Sequence, residues 1–476
     1  MILSRVSRAG RLFIITGIDG VASLIRKNNG ELRMTEGPIG RKIITFALPL
    51  FLGNLFQQLY NTADTLIVGR LLGDSALAAV ASSGSLLFLI VGFFGGIAMG
   101  AGVVMAQYFG AGDDENLSCA AHTTLTTALL AGLFLSVFGT LLAPQILIWM
   151  DTPPEVLMQS TSYVRVYFMG VLGMVLYNAC MGIMQAVGDA KHPLYYLIFS
   201  SCLNVVLDIV FIAVFDFGVG SAAAATVMAQ FASVGLCLFR LMRIDAPYRV
   251  CLKKLGIRRN MLVRIVRYGL PSGFANSVIA LANVVVQSNI NAFGEMAMAG
   301  CGAYAKIEGF AFLPITCFTS AITTFVGQNL GAREYDRTRA GARFGVLTAM
   351  GIAQCIGIVI FILAPLFIGA FATGEEAIAF GVEKARTCAL FYFLLAASHC
   401  LAAVMRGAGR AAVPMTVMLV CWCIIRVAIL SVVTPLVNDI WIVNWVYPMT
   451  WTLSTAALGV YYFRVNWMKP VEKQVT

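Results

Sequence analysis

The amino-acid sequence predicts an all-α integral membrane protein in which twelve transmembrane helices form two parallel six-helix repeats, an N-lobe and a C-lobe. Hydrophobic residues make up 59% of the 476 residues and charged residues only 12%, whereas a soluble domain is roughly half apolar and a quarter charged. The apolar residues are gathered in long runs, and a series of landmarks occurs once in each half of the chain. These observations exclude an ordinary soluble protein and indicate a membrane protein built from a repeat.

The internal repeat rests on landmarks that recur in one register. Pro49 in the first apolar run is matched by Pro271 in the second half of the chain. Further matches at the same separation, to within a single position, are Asn54 with Asn276, 73–78 with 294–299, 106–111 with 327–332, Gly188 with Gly409 and Pro193 with Pro414. Several matches at one separation are the sequence signature of duplicated structural units.

Twelve apolar runs are long enough to cross a bilayer, which requires about 20 residues of helix. The predicted spans are 44–69, 77–107, 120–143, 162–186, 194–215, 220–242, 262–290, 300–327, 342–369, 384–405, 412–434 and 441–464. Because each repeat holds an even number of spans, the second repeat starts on the same side of the membrane as the first. The halves are therefore parallel repeats related by an axis along the membrane normal.

The distribution of basic residues predicts the orientation. Lys and Arg are concentrated before the first span, between the sixth and seventh, after the eighth and after the twelfth, all on one side. Since positively charged loops stay in the cytoplasm, we expect both termini to be cytoplasmic. The same loops account for the net charge of +10, so no nucleic-acid partner is expected.

The spans divide the chain into five parts. These are a basic N-terminal extension (1–40), the N-lobe (41–243), a cytoplasmic linker (244–261), the C-lobe (262–466) and a C-terminal tail (467–476). The apolar stretch near the N-terminus is too short to cross a bilayer. Residues 1–33 are therefore either a surface-lying extension or a segment that precedes a translation start at Met34, and their deletion is expected to leave activity intact.

Cysteine and histidine form no pattern that is typical of a metal or redox site. The twelve cysteines lie mostly within apolar runs, where free cysteine behaves as a small hydrophobe. The three histidines are far apart, and His399 is interpreted as a packed side chain. A His-Glu-x-x-His pattern and a phosphate loop are missing from the sequence, which argues against a membrane-embedded enzyme. No cofactor is expected.

Two acidic residues fall inside predicted spans of the first repeat, Asp64 in the first span and Asp208 in the fifth. Acidic groups at membrane depth are costly and usually face a pathway or a partner. Asn204 precedes Asp208 by four residues and so shares its helix face. A carboxylate with amide oxygens suits sodium, and the same carboxylate can instead take a proton. The alternative is that Asn204 and Asp208 only join helices through hydrogen bonds.

The second repeat offers a further candidate polar site. Glu308 lies in the predicted eighth span and Arg426 in the eleventh. We favour an ion pair between them across the C-lobe, and direct contact of Glu308 with a ligand is the alternative. Asn276 in the seventh span is the third candidate of this site.

Pro49 and Pro271 occupy equivalent positions in the first helix of each half. Each removes one backbone hydrogen bond and favours a bend. The bend is either static, fitting the packing, or a hinge that reshapes a cavity.

Several motifs resemble those of the multidrug and toxic compound extrusion family. They are Leu48-Pro49 followed by the stretch from Gln57 to Asp64, the loop from Val326 to Ala332, and the stretch from Gly188 to Pro193 followed by Asn204 and Asp208. The resemblance covers roughly residues 34 to 466, and it is closest to the bacterial branch that includes DinF-like and MepA-like proteins.

The resemblance implies a secondary transporter of the bacterial cytoplasmic (inner) membrane that exports amphipathic, often cationic organic compounds in exchange for sodium or protons. It also implies a cation site in the N-lobe. Carried over position by position, that site comprises Asp64, Asn178, Asn204, Asp208 and Thr226. Membrane lipids and small amphipathic molecules are the expected partners, and a monomer is expected. A lipid-linked precursor flippase of the wider superfamily is the alternative.

Overall fold

The computed structural model describes residues 31–150, 152–215, 217–437 and 439–468, and all regular structure among them is helical. In this part of the chain twelve helical segments, called spans 1 to 12, cross the molecule. Spans 1 to 6 are Ile39–Leu72, Asp74–Ala111, Asp114–Trp149, the pair Pro154–Met169 and Val171–Ala186, Lys191–Asp208 with its π-helical continuation Ile209–Val214, and Gly220–Arg243. Spans 7 to 12 are Arg259–Asn291, Glu295–Gly331, Tyr335–Gly369, the pair Glu375–Ala389 and Tyr392–Gly407, Ala412–Met418 continued by Leu419–Ile425 and Arg426–Val437, and Ile440–Arg464.

The predicted twelve-helix membrane fold is confirmed. Within the described part of the chain, nine of the spans are single helices that are long and apolar enough to cross a bilayer, and two bent pairs meet the same requirements as pairs. Span 12 completes the set, although its many Trp and Tyr residues make it less apolar. Such side chains are common at membrane interfaces.

The repeat is visible in the shape of the helices as well as in the sequence. Span 4 bends by 47° before Val171, and span 10 bends by 54° before Tyr392, the equivalent position of the second repeat. π-helical turns occur in the fifth span of each half, as Ile209–Val214 and Leu419–Ile425. The two lobes are therefore built on one plan, including its irregular features.

Equivalent contacts anchor the same turn in both lobes. After span 4, the buried carboxylate of Asp189 accepts hydrogen bonds from the guanidinium of Arg240 at the end of span 6. After span 10, Arg410 donates to the hydroxyl of Tyr461 at the end of span 12, at 3.1 Å. In the register of the repeat, Arg410 corresponds to Asp189 and Tyr461 to Arg240. The contact is therefore present in both repeats, but it joins a carboxylate to a guanidinium in the first and a guanidinium to a hydroxyl in the second.

The lobes touch most closely where span 2 crosses span 7. Gly96 lies against Gly273, and Gly100 lies against Gly269, so closely that a Cβ atom at any of these four glycines would overlap backbone atoms of the other helix. Small residues allow helices to approach in this way inside a membrane. The matched asparagines add one polar contact each: Asn276 donates to the Gly92 carbonyl at 3.1 Å, and Asn54 lies 3.5 Å from the Thr316 hydroxyl.

A second set of contacts closes what we call the basic end of the molecule, where spans 2 and 8 finish at Ala111 and Gly331. There Gly110 packs against the Gln328 carbonyl and Gly331 against the Gln107 carbonyl. These are the repeated segments 106–111 and 327–332 of the sequence, and they meet each other across the lobe interface. The repeated motif thus lies where the two halves of the molecule contact each other.

Part of the predicted N-terminal extension packs against the rest of the molecule. Residues 1–30 lie outside the described residues, as does most of the predicted tail, from 469 onward. Residues 31–38, by contrast, are packed into the basic end: Met34 is fully buried, and the Leu32 amide donates to the Val187 carbonyl. The apolar Leu32 and Met34 explain why this segment leaves the surface. The remaining domain boundaries stay predictions.

Replacing Gly100 with alanine is expected to destabilise the protein by about 1–3 kcal/mol, since a methyl group would be forced into the backbone of span 7. Gly84→Ala is the matched control, because it lies on the same helix and a Cβ atom there meets nothing within 4 Å. The measurement is thermal unfolding of both purified variants in detergent. Equal melting temperatures for the two would contradict the close crossing.

Candidate functional site

Two carboxyl groups meet inside the N-lobe. Asp64 of span 1 and Asp208 of span 5 are in side-chain hydrogen-bond contact, and Asp208 has no exposed surface. Asp208 is the last residue of the regular helix before the π-helical turn Ile209–Val214. Such turns are rare in proteins, and those that do occur are often found at functional sites. The local backbone thus presents the carboxyl group of Asp208 at a distortion of the helix.

Asn204 and Thr226 complete the polar cluster. Asn204 is 2% exposed, and its best hydrogen-bonded amide orientation donates to Asp208 Oδ2 at 3.3 Å and accepts from the Thr226 amide at 3.2 Å. The Thr226 hydroxyl lies 3.4 Å from the Asn204 side chain. The structure therefore brings together four of the residues that the sequence singles out.

Two tyrosines that the sequence did not single out also border this cluster. Tyr60 of span 1 and Tyr163 of span 4 interact electrostatically with both carboxyl groups. Tyr60 precedes Asp64 by four residues and so shares its helix face, which is a signal that the sequence does contain. Tyr163 carries no such signal, since only the folded chain places span 4 beside span 1.

The carboxyl pair has a definite chemical consequence. Two carboxylates in contact cannot both remain ionised without a compensating positive charge. Among the described residues, no Lys or Arg forms an ion pair with either group, and one oxygen of each, Asp64 Oδ1 and Asp208 Oδ1, has no hydrogen-bond partner. A shared proton or a hard cation such as sodium, which prefers oxygen ligands, satisfies these oxygens. The arrangement is therefore suited to binding one small cation.

Asn178, the fifth residue of the predicted site, makes a different set of contacts. Its side chain donates to the Met174 carbonyl of its own helix at 2.9 Å. It lines a cavity of about 130 Å³ between spans 2, 4 and 8, together with Gly95, Gln185 and Ser320. No described hydrogen bond joins Asn178 to the carboxyl pair, so its predicted role as a cation ligand has no geometric support.

The candidate C-lobe site differs from the arrangement that the sequence favours. Within the described residues, Glu308 and Arg426 form no direct ion pair. Glu308 instead accepts from the Tyr304 hydroxyl at 3.2 Å, and its main electrostatic partner is Lys384, followed by Arg426. Asn276 lies apart, because its face of span 7 is turned toward span 2. The sequence did not single out Lys384, which is the first residue of the predicted tenth span and lies beside the charged residues Glu383 and Arg386.

Both predicted hinge prolines lie inside uninterrupted helices. Pro271 is placed between Gly269 and Gly273, the two glycines that contact span 2. Pro49 precedes Leu50, which belongs to the apolar cluster between the lobes. Each proline therefore lies where a bend would change the lobe contact, although a hinge remains a prediction.

The side chain of Gln328 links three parts of the basic end. Its oxygen accepts from the Met34 amide at 2.8 Å, and its nitrogen donates to the Ala186 carbonyl at 2.8 Å. Arg337 donates to the Met34 carbonyl as well. The N-terminal segment is thus tied to span 8 of the C-lobe and, through Gln328, to span 4 of the N-lobe.

Two six-span lobes of one plan, a cavity between them and buried acids at membrane depth define a membrane transporter built from parallel repeats. A family model described as MatE matches residues 49–210 and 271–432. The two matched segments begin at Pro49 and Pro271, the first pair of landmarks that defines the repeat in the sequence. The chain belongs to the MatE family.

Relatives and solved structures agree with this assignment. The chain is 28% identical over 452 residues to the probable multidrug resistance protein YoeA of Bacillus subtilis (strain 168), covering 93% of this chain and 97% of that protein. It is 20% identical over 341 residues to the multidrug export protein MepA of Staphylococcus aureus (strain MSSA476), covering 72% and 75%.

The fold matches that of an outward-facing multidrug resistance MATE family transporter with a TM-score of 0.84 at 23% identity, over 92% of this chain and 98% of that one. A crystal structure of MATE in complex with MaL6 gives a TM-score of 0.85 at 23% identity, over 92% and 99%. At this identity the structural likeness establishes the fold, and the two-lobe architecture predicted from the sequence is confirmed.

Gln328→Ala is expected to loosen the basic end, because it leaves the buried Met34 amide and Ala186 carbonyl without partners, at a cost of about 1–3 kcal/mol. A cysteine introduced at Ser320, which lines the cavity, should then react faster with a thiol reagent in a background that lacks the native cysteines. Gln354→Ala is the control, since Gln354 bonds only within the C-lobe, to Ala389 and Phe393. Unchanged labelling in Gln328→Ala would show that Gln328 does not hold this end closed.

Proposed function

We propose that this chain is a cation-coupled antiporter that exports amphipathic, often cationic organic compounds in exchange for inward sodium ions or protons. The observation that carries the proposal is the contact between the Asp64 and Asp208 carboxyl groups, with Asn204 and Thr226 beside them. Membership of the MatE family and relatives named for multidrug resistance and export support the substrate class.

The coupling ion and the cationic substrate compete for the negative charge of the carboxyl pair. This competition couples the export of the substrate to the entry of the ion. When the site is empty of cations, the carboxyl pair carries uncompensated negative charge, which favours a cationic substrate in the cavity. When a sodium ion or a proton binds, the negative charge of the pair falls by one and that attraction is weakened. The ion and the substrate therefore weaken each other's binding by the same factor, as thermodynamic linkage requires. Exchange across the membrane follows if the site opens to one side at a time.

The contacts of the lobes support alternating access. The crossing of spans 2 and 7 and the interlocked residues Gly110 and Gly331 close the basic end, so the described conformation corresponds to a state closed on that side. Opening it requires the lobes to separate there, and each contact that is lost must be replaced on the opposite side. Rocking of two similar lobes about a central site is the mechanism that parallel repeats favour.

The orientation follows from the charge of the loops, with both termini and the basic end in the cytoplasm. Single cysteines at Lys253 and Glu375, in a background that lacks the native thiols, are expected to differ in labelling by an impermeant reagent added to intact cells. Position 375, at the start of span 10, should react, and position 253, in the connection after span 6, should be protected. Labelling of 253 but not of 375 would reverse the orientation.

Asp208→Asn is expected to abolish gradient-driven export while the protein still inserts and folds, because an amide keeps the size of the side chain and removes the charge that binds the ion. Asn204→Ala should weaken ion affinity by roughly tenfold, since one neutral ligand is lost and the charge remains. The assay is export from proteoliposomes on which sodium and pH gradients are imposed independently.

Asp113→Asn is the matched control for this assay, because Asp113 is a carboxylate that only caps span 3 through Asn116. Normal export by Asp208→Asn, with unchanged sodium and pH dependence, would assign coupling to another residue. Glu308 would then be the first to test.

A further inference from the structure

Two basic side chains are buried in the C-lobe without a carboxylate within ion-pair distance. Lys384 of span 10 is 4% exposed and Arg426 of span 11 is 1% exposed. Among the described residues Lys384 has neither an ion pair nor a hydrogen bond; its ammonium group lies 5.1 Å from the ring centre of Tyr447 and 5.8 Å from that of Tyr304. Arg426 donates one hydrogen bond, to the Thr450 hydroxyl at 2.8 Å, and its Nε atom has no partner.

These two cations belong to one cluster. The guanidinium group of Arg426 lies 4.6 Å from the ring centre of Tyr447, the ring that Lys384 also faces, so a single aromatic side chain contacts both charges. Glu308 interacts electrostatically with both but contacts neither directly; it is held by Tyr304, whose hydroxyl also lies 3.0 Å from that of Tyr392. With all three groups ionised, the cluster keeps an excess of positive charge.

An excess of positive charge at this depth requires an explanation. Unpaired buried ions cost several kcal/mol, and ionisable residues inside a membrane protein are as a rule functional. The rings of Tyr447 and Trp422 lower the cost, at about 0.5–2 kcal/mol for each cation–π contact, but they do not neutralise charge. An anion bound between Lys384 and Arg426 would do so.

The repeat gives an independent reason to regard this cluster as a binding site. In the register of the repeat, Lys384 corresponds to Tyr163, which borders the N-lobe carboxyl pair. In the same register Arg426 corresponds to Val205, three residues before Asp208. A π-helical turn adjoins each buried charge, although at different positions of the span: Leu419–Ile425 directly precedes Arg426, and Ile209–Val214 directly follows Asp208. The corresponding regions of the two lobes thus carry buried charges of opposite sign, each beside a rare helix distortion of the kind found at functional sites.

The cluster also borders the space between the lobes. Glu308 is partly exposed, and Gly309 of the same span lies close to the side chain of Gln58 in span 1. Gln58 is less than two turns from Asp64 on its helix. A molecule in the cleft can therefore approach the C-lobe cluster and the N-lobe carboxyl pair together.

We propose that Lys384 and Arg426 bind the carboxylate of an aromatic substrate, with the rings of Tyr447 and Trp422 packing against its apolar part. This deepens the proposed export function and rests on it for the direction of transport. An arginine with an unpartnered Nε is suited to a carboxylate, which it binds through two parallel hydrogen bonds. The preferred substrates are then amphipathic zwitterions, whose cationic group faces the N-lobe and whose carboxylate faces the C-lobe.

Equilibrium binding of a matched pair of dyes to the purified protein tests the proposal. The probes are a rhodamine with a free carboxylate and its methyl ester, which keeps the rings and the positive charge but lacks the negative one. The wild-type protein is expected to prefer the acid. Lys384→Met and Arg426→Met should each reduce the affinity for the acid, relative to the ester, at least about tenfold, as expected for loss of a hydrogen-bonded charge. Lys384→Arg should keep the preference.

Lys306→Met is the matched control, because Lys306 lies on span 8 two residues from Glu308 but is exposed on another face. An equal preference in the wild type and in Lys384→Met would overturn the proposal, as would the absence of any preference in the wild type. If chloride stabilises the wild type more than gluconate does, only when Lys384 is present and without a preference between the dyes, the site binds inorganic anions and the proposal is wrong.

Binding to the purified protein does not require transport, so this test is separate from that of coupling. Failure of the wild type to export either dye under any gradient would contradict the export function, whereas a lost acid preference in Lys384→Met supports the site regardless of that result.

Discussion

The cost of holding an ionised group at membrane depth is the constraint on which the rest of this structure depends. A charge in the bilayer interior has to find a counter-charge, a proton or a polar partner. Asp189, which is buried in the turn after span 4 at the basic end, has permanent partners in Arg240 and His192. Asp64 and Asp208 do not, since their nearest charged neighbours are each other. A carboxylate with a permanent basic partner forms a structural contact. A carboxyl pair without such a partner forms a site whose charge changes when a mobile ion binds.

The same reasoning separates what the sequence predicts from what it does not. Asp64 and Asp208 stand out because each interrupts an apolar run, and the four-residue spacing of Asn204 from Asp208 places them on one helix face. Lys384 is also buried, at 4% exposed, yet it stands at the very start of the predicted tenth span, between Glu383 and Arg386, where a charged side chain does not interrupt an apolar run. Span 10 starts at Glu375, well before the predicted start at 384, and its first helix buries Lys384 inside the lobe.

The sequence shows which residues recur in the two halves, but it does not show what these residues do in the structure. Asn54 and Asn276 recur at equivalent positions, and the sequence offers Asn276 as part of a polar site. In the structure the two residues have the same structural role, because each joins the first span of its own lobe to the other lobe. The contact partners of these two asparagines are distant along the chain, so the local spacing of residues cannot reveal them. The burial of Met34 could not be predicted either, because the residues that bond to it, such as Gln328 and Arg337, are distant along the chain.

Duplication explains how one fold can hold two sites of different charge. The two lobes share their bends and their anchored turns, and each has a π-helical distortion in its fifth span. The residues at such positions are then free to diverge, as Asp189 with Arg240 and Arg410 with Tyr461 illustrate at the basic end. In the membrane interior, the N-lobe cluster holds two acids, whereas the C-lobe cluster holds two bases and one acid. In the proposed mechanism, the two lobes orient a zwitterionic molecule across the cleft, and binding of a cation to the N-lobe carboxyl pair weakens the hold on its cationic end while the C-lobe still holds the anionic end.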